Sequence, residues 1–241
     1  MNHEDFHDGK QADLDEEASG TAQRFLLLDE FYRTAVYIAG RIPAWWFVPP
    51  EHAAHYDAHL KRLIDQRFLR RDSVIDFGNA SSIPLEEYFG AGIWQLYKAI
   101  SSPYKSVLKL LLIESYLYGQ GDAKTLSDCY KNAVYLGQED VDTVDPYLMA
   151  YQHIERYLKH NQEPERIEVA RRCLNLKIGR PLYGEQTEND NWQRRLLRRL
   201  VQDWQWPDTH IASLDQHETW SVLQVKNERN QLVHMLSLIH I

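Results

Sequence analysis

Four residues around one turn have the types and spacing to grip an anion. Ser102 precedes Pro103, and a serine cap followed by proline at the first helical position is a strong helix start. The beginning of a helix presents unpaired N–H groups and positive dipole charge, which suits phosphate. Lys105 and Lys109 lie four apart on one face of that helix, and Lys98 ends the helix before it. Three ammoniums can therefore converge beside the Ser102 hydroxyl. The competing reading is solvated lysines beside an ordinary cap. Arg33 is a further basic candidate, one residue from the core position Tyr32. Its head reaches Asp29 four residues back, and this pairing is expected in preference to a phosphate contact.

Other clusters carry weaker chemistry. His52, His55 and His59 share one helical face, and the pair four apart has zinc-ligand spacing. The segment is polar, so a solvated face is expected there. The pairs Arg171-Arg172, Arg194-Arg195 and Arg198-Arg199 raise nucleic acid as a partner, but Glu163, Glu165, Glu168, Glu188, Asp190 and Asp203 nearby favour ion pairing on helix surfaces. The whole chain agrees. It has 35 acidic residues against 27 Lys plus Arg and a net charge of −8, the wrong sign for displacing counterions from a phosphate backbone. The acidity is concentrated at the start. Residues 1–20 hold seven acids and one base, and read as an acidic, disordered tail or linker.

The elements that must position these groups are helical almost throughout. The chain has 241 residues, and a compact chain of that size buries about 70–75% of its unfolded surface. Thr21 caps a helix with Phe25, Leu28, Tyr32, Ala35 or Val36, and Ala39 inward, and Gly40 stops it. Pro43, Pro49 and Pro50 then force an extended connection that carries Trp45, Trp46 and Phe47. Residues 51–67 resume helical spacing, with Tyr56, Leu60, Leu63 and Ile64 inward, and Ser73–Ser82 reads as a loop. Pro84 opens a helix to Lys98, and Ser102-Pro103 opens one to Gly119. Asp145-Pro146, Glu163-Pro164, Asn191 and Pro207 start four more. No β-alternation persists, and the fold class is all-α, a multi-helix bundle-like array. Cys129 and Cys173 have no framework spacing, which suits two inert thiols in a reducing compartment. No apolar run approaches the ~20 residues of a membrane span.

Glu87-Tyr-Phe-Gly-Ala-Gly-Ile-Trp-Gln-Leu-Tyr-Lys98 closely resembles a signature segment of the class I (enterobacterial-type) adenylate cyclases. Family members have two small residues and then leucine after the first glycine, where this chain has Ala91, Gly92 and Ile93. The likeness extends to Leu26–Ala35, Ser102–Lys109, Asp145-Pro-Tyr147, Arg171–Leu174 and the tryptophan-bearing stretch Trp192–Trp206, and covers about residues 20–235. It implies a cytoplasmic bacterial enzyme that makes cyclic AMP and pyrophosphate from ATP. It also implies a nucleotidyltransferase-like catalytic domain, with Mg²⁺ on D-x-D carboxylates below a Gly-Ser turn, followed by a helical part. With ATP as the ligand, Lys98, Ser102, Lys105 and Lys109 become the candidate grip on its triphosphate. Gly90 and Gly92 are expected to allow close helix packing, with Phe89 and Trp94 filling the remaining space; a nucleotide base over the glycines is the other reading.

The Gly-Ser turn and D-x-D strand lie upstream of Leu26 in the family. Asp13-Leu14-Asp15 and Asp140-Val141-Asp142 have the spacing but neither the glycine-serine turn nor an apolar strand. No metal ligand and no catalytic residue is therefore assigned here. The chain is expected to be an internal fragment, inactive alone, with Met1 an internal methionine of a longer frame. Residues 21–119 form the helical segment with the signature and residues 120–235 a helical hairpin region. Residues 236–241 read as the translation of a sequencing adapter, against a genuine apolar C-terminus. A non-catalytic helical interaction or regulatory module is the alternative function, with a regulatory protein as partner.

Overall fold

A computed structural model describes residues 24–80, 83–118, 124–140, 144–182 and 192–238. Among these it shows ten α-helices and one pair of two-residue strands, an all-α array. The helices are α1 (Arg24–Thr34), α2 (Tyr56–Asp65), α3 (Leu85–Lys98), α4 (Pro103–Tyr118) and α5 (Leu126–Tyr135). They continue with α6 (Pro146–His160), α7 (Pro164–Ile178), α8 (Trp192–Asp203), α9 (Asp208–Asp215) and α10 (Val222–Ser237). Thr21 and Asn191, expected as caps, lie outside the described residues.

Local chemistry accounts for most starts and stops. The Asp145 carboxylate accepts from the Tyr147 and Leu148 N–H groups at 3.0 and 2.7 Å, and Pro146 opens α6. Pro164 opens α7, and Gly179, at φ 60°, closes it in the left-handed conformation that glycine adopts without strain. Thr125 caps α5, and Ser221 with Gln224 forms a reciprocal capping box on α10.

Four expectations for residues 21–82 are corrected by the structure. α1 ends at Thr34, short of Gly40. Ile38 and Arg41 exchange hydrogen bonds of 2.9 and 2.8 Å across Ala39 and Gly40, both at positive φ, so a tight reversal replaces the last helical turn. The aromatic connection is not extended. Ala44–Phe47 coil into a 3₁₀ turn that turns the Trp45 ring inward. A 3₁₀ stretch, Pro50–His55, precedes α2, because the two prolines admit a helix start but no donor behind it. Part of the expected 73–82 loop pairs: Val74–Ile75 (β2) runs parallel to Ile42–Pro43 (β1).

Two apolar clusters hold these elements. The smaller gathers Tyr32, Trp45, Val48, Tyr56, Leu60 and Val74, with the Tyr32 and Trp45 rings stacked at 4.4 Å. The larger centres on α4, which packs against α3, α6, α7 and α10. There the buried Arg166 guanidinium grips the buried Glu114 carboxylate and pairs with Glu163 at 2.6 Å. Tyr157 donates to Glu114 at 3.1 Å. Buried charge is tolerated here because each group is paired.

Candidate functional site

Asp29, in the middle of α1, is the buried knot from which the site is built. Its carboxylate accepts from the Arg33 guanidinium at 3.2 Å, the Tyr116 hydroxyl at 3.2 Å and the Ser127 N–H at 2.8 Å. One side chain thus ties α1 to α4 and α5. Arg33 also donates to the Pro146 carbonyl at 3.3 Å, which fastens α1 to the start of α6. Burial alone would lower the Arg33 pKa, but the charges of Asp29, Tyr116 and Glu30 and the hydrogen bond to Asp29 together outweigh it, and the guanidinium stays firmly protonated. The structural pairing expected for Arg33 is what the fold contains.

Beside this knot α1, α3, α4, α6 and α7 enclose a cleft of about 130 Å³. Lys105 and Lys109 line it from α4, Lys177 from α7, Glu30 from α1, Trp94 from α3 and Tyr147 from α6. Lys109 pairs with Glu30 at 2.6 Å. Burial pushes the Glu30 carboxyl upward, but its hydrogen bond to Lys109 and the charges of Lys109, Arg33 and Lys105 hold it below the ordinary value. Lys177 places its ammonium 3.3 Å from the centre of the Tyr147 ring. Burial, reinforced by the like charge of Lys105, brings its pKa down to about 8, and Asp145 and Glu30 only partly offset this. Three lysines thus line the cleft, and Glu30 pairs with one of them. Such a site favours a polyanion attached to a planar or apolar body.

The structure divides the four residues singled out in the sequence. Lys105 and Lys109 face the cleft together. Lys98 and Ser102 do not line it. Lys98 lies over the Trp94 ring, 4.9 Å from its centre, and Trp94 borders the cleft. The Ser102 N–H is held by the Lys98 carbonyl at 2.9 Å, and Ser101 Oγ donates to the same oxygen at 3.3 Å, so the turn is closed largely by its own bonds. Lys177 and Tyr147 were missed. Lys105 is on α4, Tyr147 on α6 and Lys177 on α7, and no spacing rule links residues that only a bundle brings together.

The remaining candidates resolve structurally. The His52 and His59 rings stack at 4.4 Å, and His59 Nδ1 lies 3.1 Å from Arg62, while His55 is exposed. Arg171 pairs with Glu155 at 3.0 Å and Arg172 with Glu228 at 3.6 Å. Gly92 is buried, as close packing requires, while Gly90 is half-buried; Phe89 and Trp94 do not fill the space beside them, since both are exposed. Cys129 and Cys173 are free thiols, and burial pushes both upward in pKa. Among the described residues no three His, Cys, Asp or Glu side chains converge to hold a metal ion. In the cleft Asp29 and Glu30 are committed to Arg33 and Lys109, so the donors present do not fit Mg²⁺. Asp13, Asp15 and Asp142 lie outside the described residues. No helix among the described residues is long and apolar enough to cross a membrane.

Comparison with known proteins places this chain in a family. Residues 83–240 match the model of the adenylate cyclase, class-I, second domain, and residues 1–46 match that of the adenylate cyclase NT domain. The adenylate cyclase of Salmonella typhimurium is 38% identical over 228 residues, which is 95% of this chain and 27% of that protein. That of Proteus mirabilis is 38% identical over 230 residues, again 95% of this chain and 27% of the relative. That of Yersinia intermedia is 36% identical over 228 residues, with the same shares. The chain thus spans 27% of the length of the curated relatives it matches. No solved structure matches.

Proposed function

Because the chain belongs to the class-I adenylate cyclase family, we propose that it works as part of a longer cytoplasmic enzyme that converts ATP to 3′,5′-cyclic AMP and pyrophosphate. In that reaction the ribose 3′-oxygen forms a bond to the α-phosphorus. The bond from that phosphorus to the leaving pyrophosphate breaks, and the 3′ proton passes to a base. The share assigned to this chain is binding and orientation. Lys105, Lys109 and Lys177 donate charged hydrogen bonds to the oxygens of the triphosphate, with Lys98 and Ser102 at the rim of the same site. The observation that carries this reading is the convergence of the three lysines on a cleft bordered by Trp94 and Tyr147. Mg²⁺ accompanies the nucleotide in this class of chemistry. The acids of the cleft offer it no free ligand set, and no step assigned here depends on it.

Kinetics of the full-length enzyme carrying this sequence tests the reading. Lys105→Met and Lys177→Met are each expected to raise the KM for ATP about tenfold, about 1.4 kcal/mol of lost binding, with kcat little changed. Lys98→Met and Ser102→Ala are expected to have smaller effects in the same direction. Lys109 is a poorer probe, since its removal also strands Glu30. An unchanged KM in both principal variants overturns the assignment and favours a helical interaction or regulatory module without a share in substrate binding.

A further inference from the structure

One side chain in the lining of the cleft is uncharged and sets a hydrogen-bond donor beside an acceptor. Among the described residues this is Gln95, half-buried on α3. Most other polar groups there are cations or already have partners. Asp29 holds Arg33, Glu30 holds Lys109, the Tyr116 hydroxyl donates to Asp29, and the Thr34 hydroxyl donates to the Glu30 carbonyl at 2.8 Å. No hydrogen bond to another described residue occupies the Gln95 carboxamide.

Its position on the helix gives it access to the cleft. Ala91 lies one turn earlier on the same face and also lines the cleft, so the residue beneath the carboxamide is only a methyl group. Trp94 borders the cleft from the adjacent position, and consecutive side chains of a helix project about 100° apart. A planar ring laid against Trp94 can therefore turn an edge to Gln95. Lys105, Lys109 and Lys177 line the cleft from α4 and α7, so a ring and a charged chain attached to it meet different walls.

We infer that Gln95 is the base-reading residue of this cleft: its carboxamide oxygen accepts from the 6-amino group of adenine, and its NH₂ donates to the ring nitrogen beside that group. This is the bidentate pairing by which a carboxamide recognises adenine in nucleic acids. The lysines grip phosphate whatever base is attached, so alone they distinguish no base. The inference rests on the nucleotide reading of the cleft given above, and adds to it the choice of base.

Paired kinetics of the full-length enzyme carrying this sequence tests it. The KM for ATP is compared with the inhibition constant of purine riboside triphosphate, which keeps the ring nitrogens and the triphosphate but lacks the 6-amino group. Gln95→Met keeps an unbranched side chain and removes the amide; circular dichroism checks its fold, and Gln95→Leu is the second variant. The KM for ATP is expected to rise about tenfold while the constant for the analogue changes much less, so that the preference for ATP collapses. Equal rises for both ligands overturn the inference, since a residue that merely shapes the cleft acts on both. No change in either also overturns it. Lys177→Met, measured with the same pair, is expected to raise both constants by the same factor, because both ligands carry the triphosphate. If it does so and Gln95→Met does not separate the pair, only the inference about Gln95 falls. If Lys105→Met, Lys177→Met and Gln95→Met all leave both constants unchanged, the nucleotide lies elsewhere and the reading beneath falls with it.

Discussion

α3 and α4 are consecutive, joined by a four-residue turn and similarly rich in apolar residues, yet the fold treats them differently. α4 is surrounded by α3, α6, α7 and α10. It buries Val107, Leu110, Leu111 and Ile113, and also Ser106, Glu114 and Ser115. α3 buries only Glu87, Ala91 and Gly92, and leaves its largest side chains outside. The difference teaches that apolar periodicity states how much of a helix must be covered, while the covering partner comes from elsewhere. For α4 that partner lies within this segment. Among the described residues the outer side of α3 stays exposed.

The largest effect that would break or sharpen this contrast is expected at the charge buried on α4. Glu114→Ala leaves the Arg166 guanidinium buried with only Glu163 beside it, which is expected to cost about 3 kcal/mol, at the low end for breaking a buried pair because that second carboxylate remains. A lower urea midpoint measures this, and adding Arg166→Met should recover much of the loss. A silent Glu114→Ala would mean that α4 is no better enclosed than α3.

A smaller effect belongs to the cleft that α4 shares with α7. The fold holds Lys177 at a pKa of about 8, below its ordinary 10.5, so between these values the unfolded chain binds more protons than the folded one. Stability from this group therefore rises as the pH increases from about 8 to about 10.5, and is flat below that range. Denaturation curves at pH 7 and pH 10, compared between the native chain and Lys177→Met, isolate the contribution. The variant should lack the rise and be the more stable at pH 7.

The smallest effect is expected on the outer side of α3. Ile93→Ala should change the stability of the 241-residue chain by no more than about 0.5 kcal/mol, as for exposed positions generally. A urea midpoint lowered as far as for a core truncation would show that this side of α3 is already covered in this chain.

Much of the fold was legible before any coordinates. Asp145-Pro146, Glu163-Pro164 and Pro207 mark helix starts that the structure contains, because proline at the first turn removes only a donor that would be unpaired anyway. α1 was read five residues too long, since the bonding of Ile38 to Arg41 is a local alternative that apolar spacing does not register. The candidate site was half legible. Lys105 and Lys109 share a helical face by simple periodicity, whereas Lys98 and Ser102 were grouped with them through nearness in the chain. Lys177 and Tyr147 belong to other helices and carry no signal of their own.

By itself, then, the sequence determined the helical class, most of the capped starts and the family, because caps, periodicity and the signature at residues 87–98 are encoded within a few turns of chain. Only the tertiary structure decided that Lys177 joins Lys105, that Asp29 knots three elements together and that, among the described residues, the outer side of α3 is exposed. These are relations between segments far apart in the chain, and packing, which minimises exposed apolar surface and unpaired charge over the whole assembly of helices, has no local code.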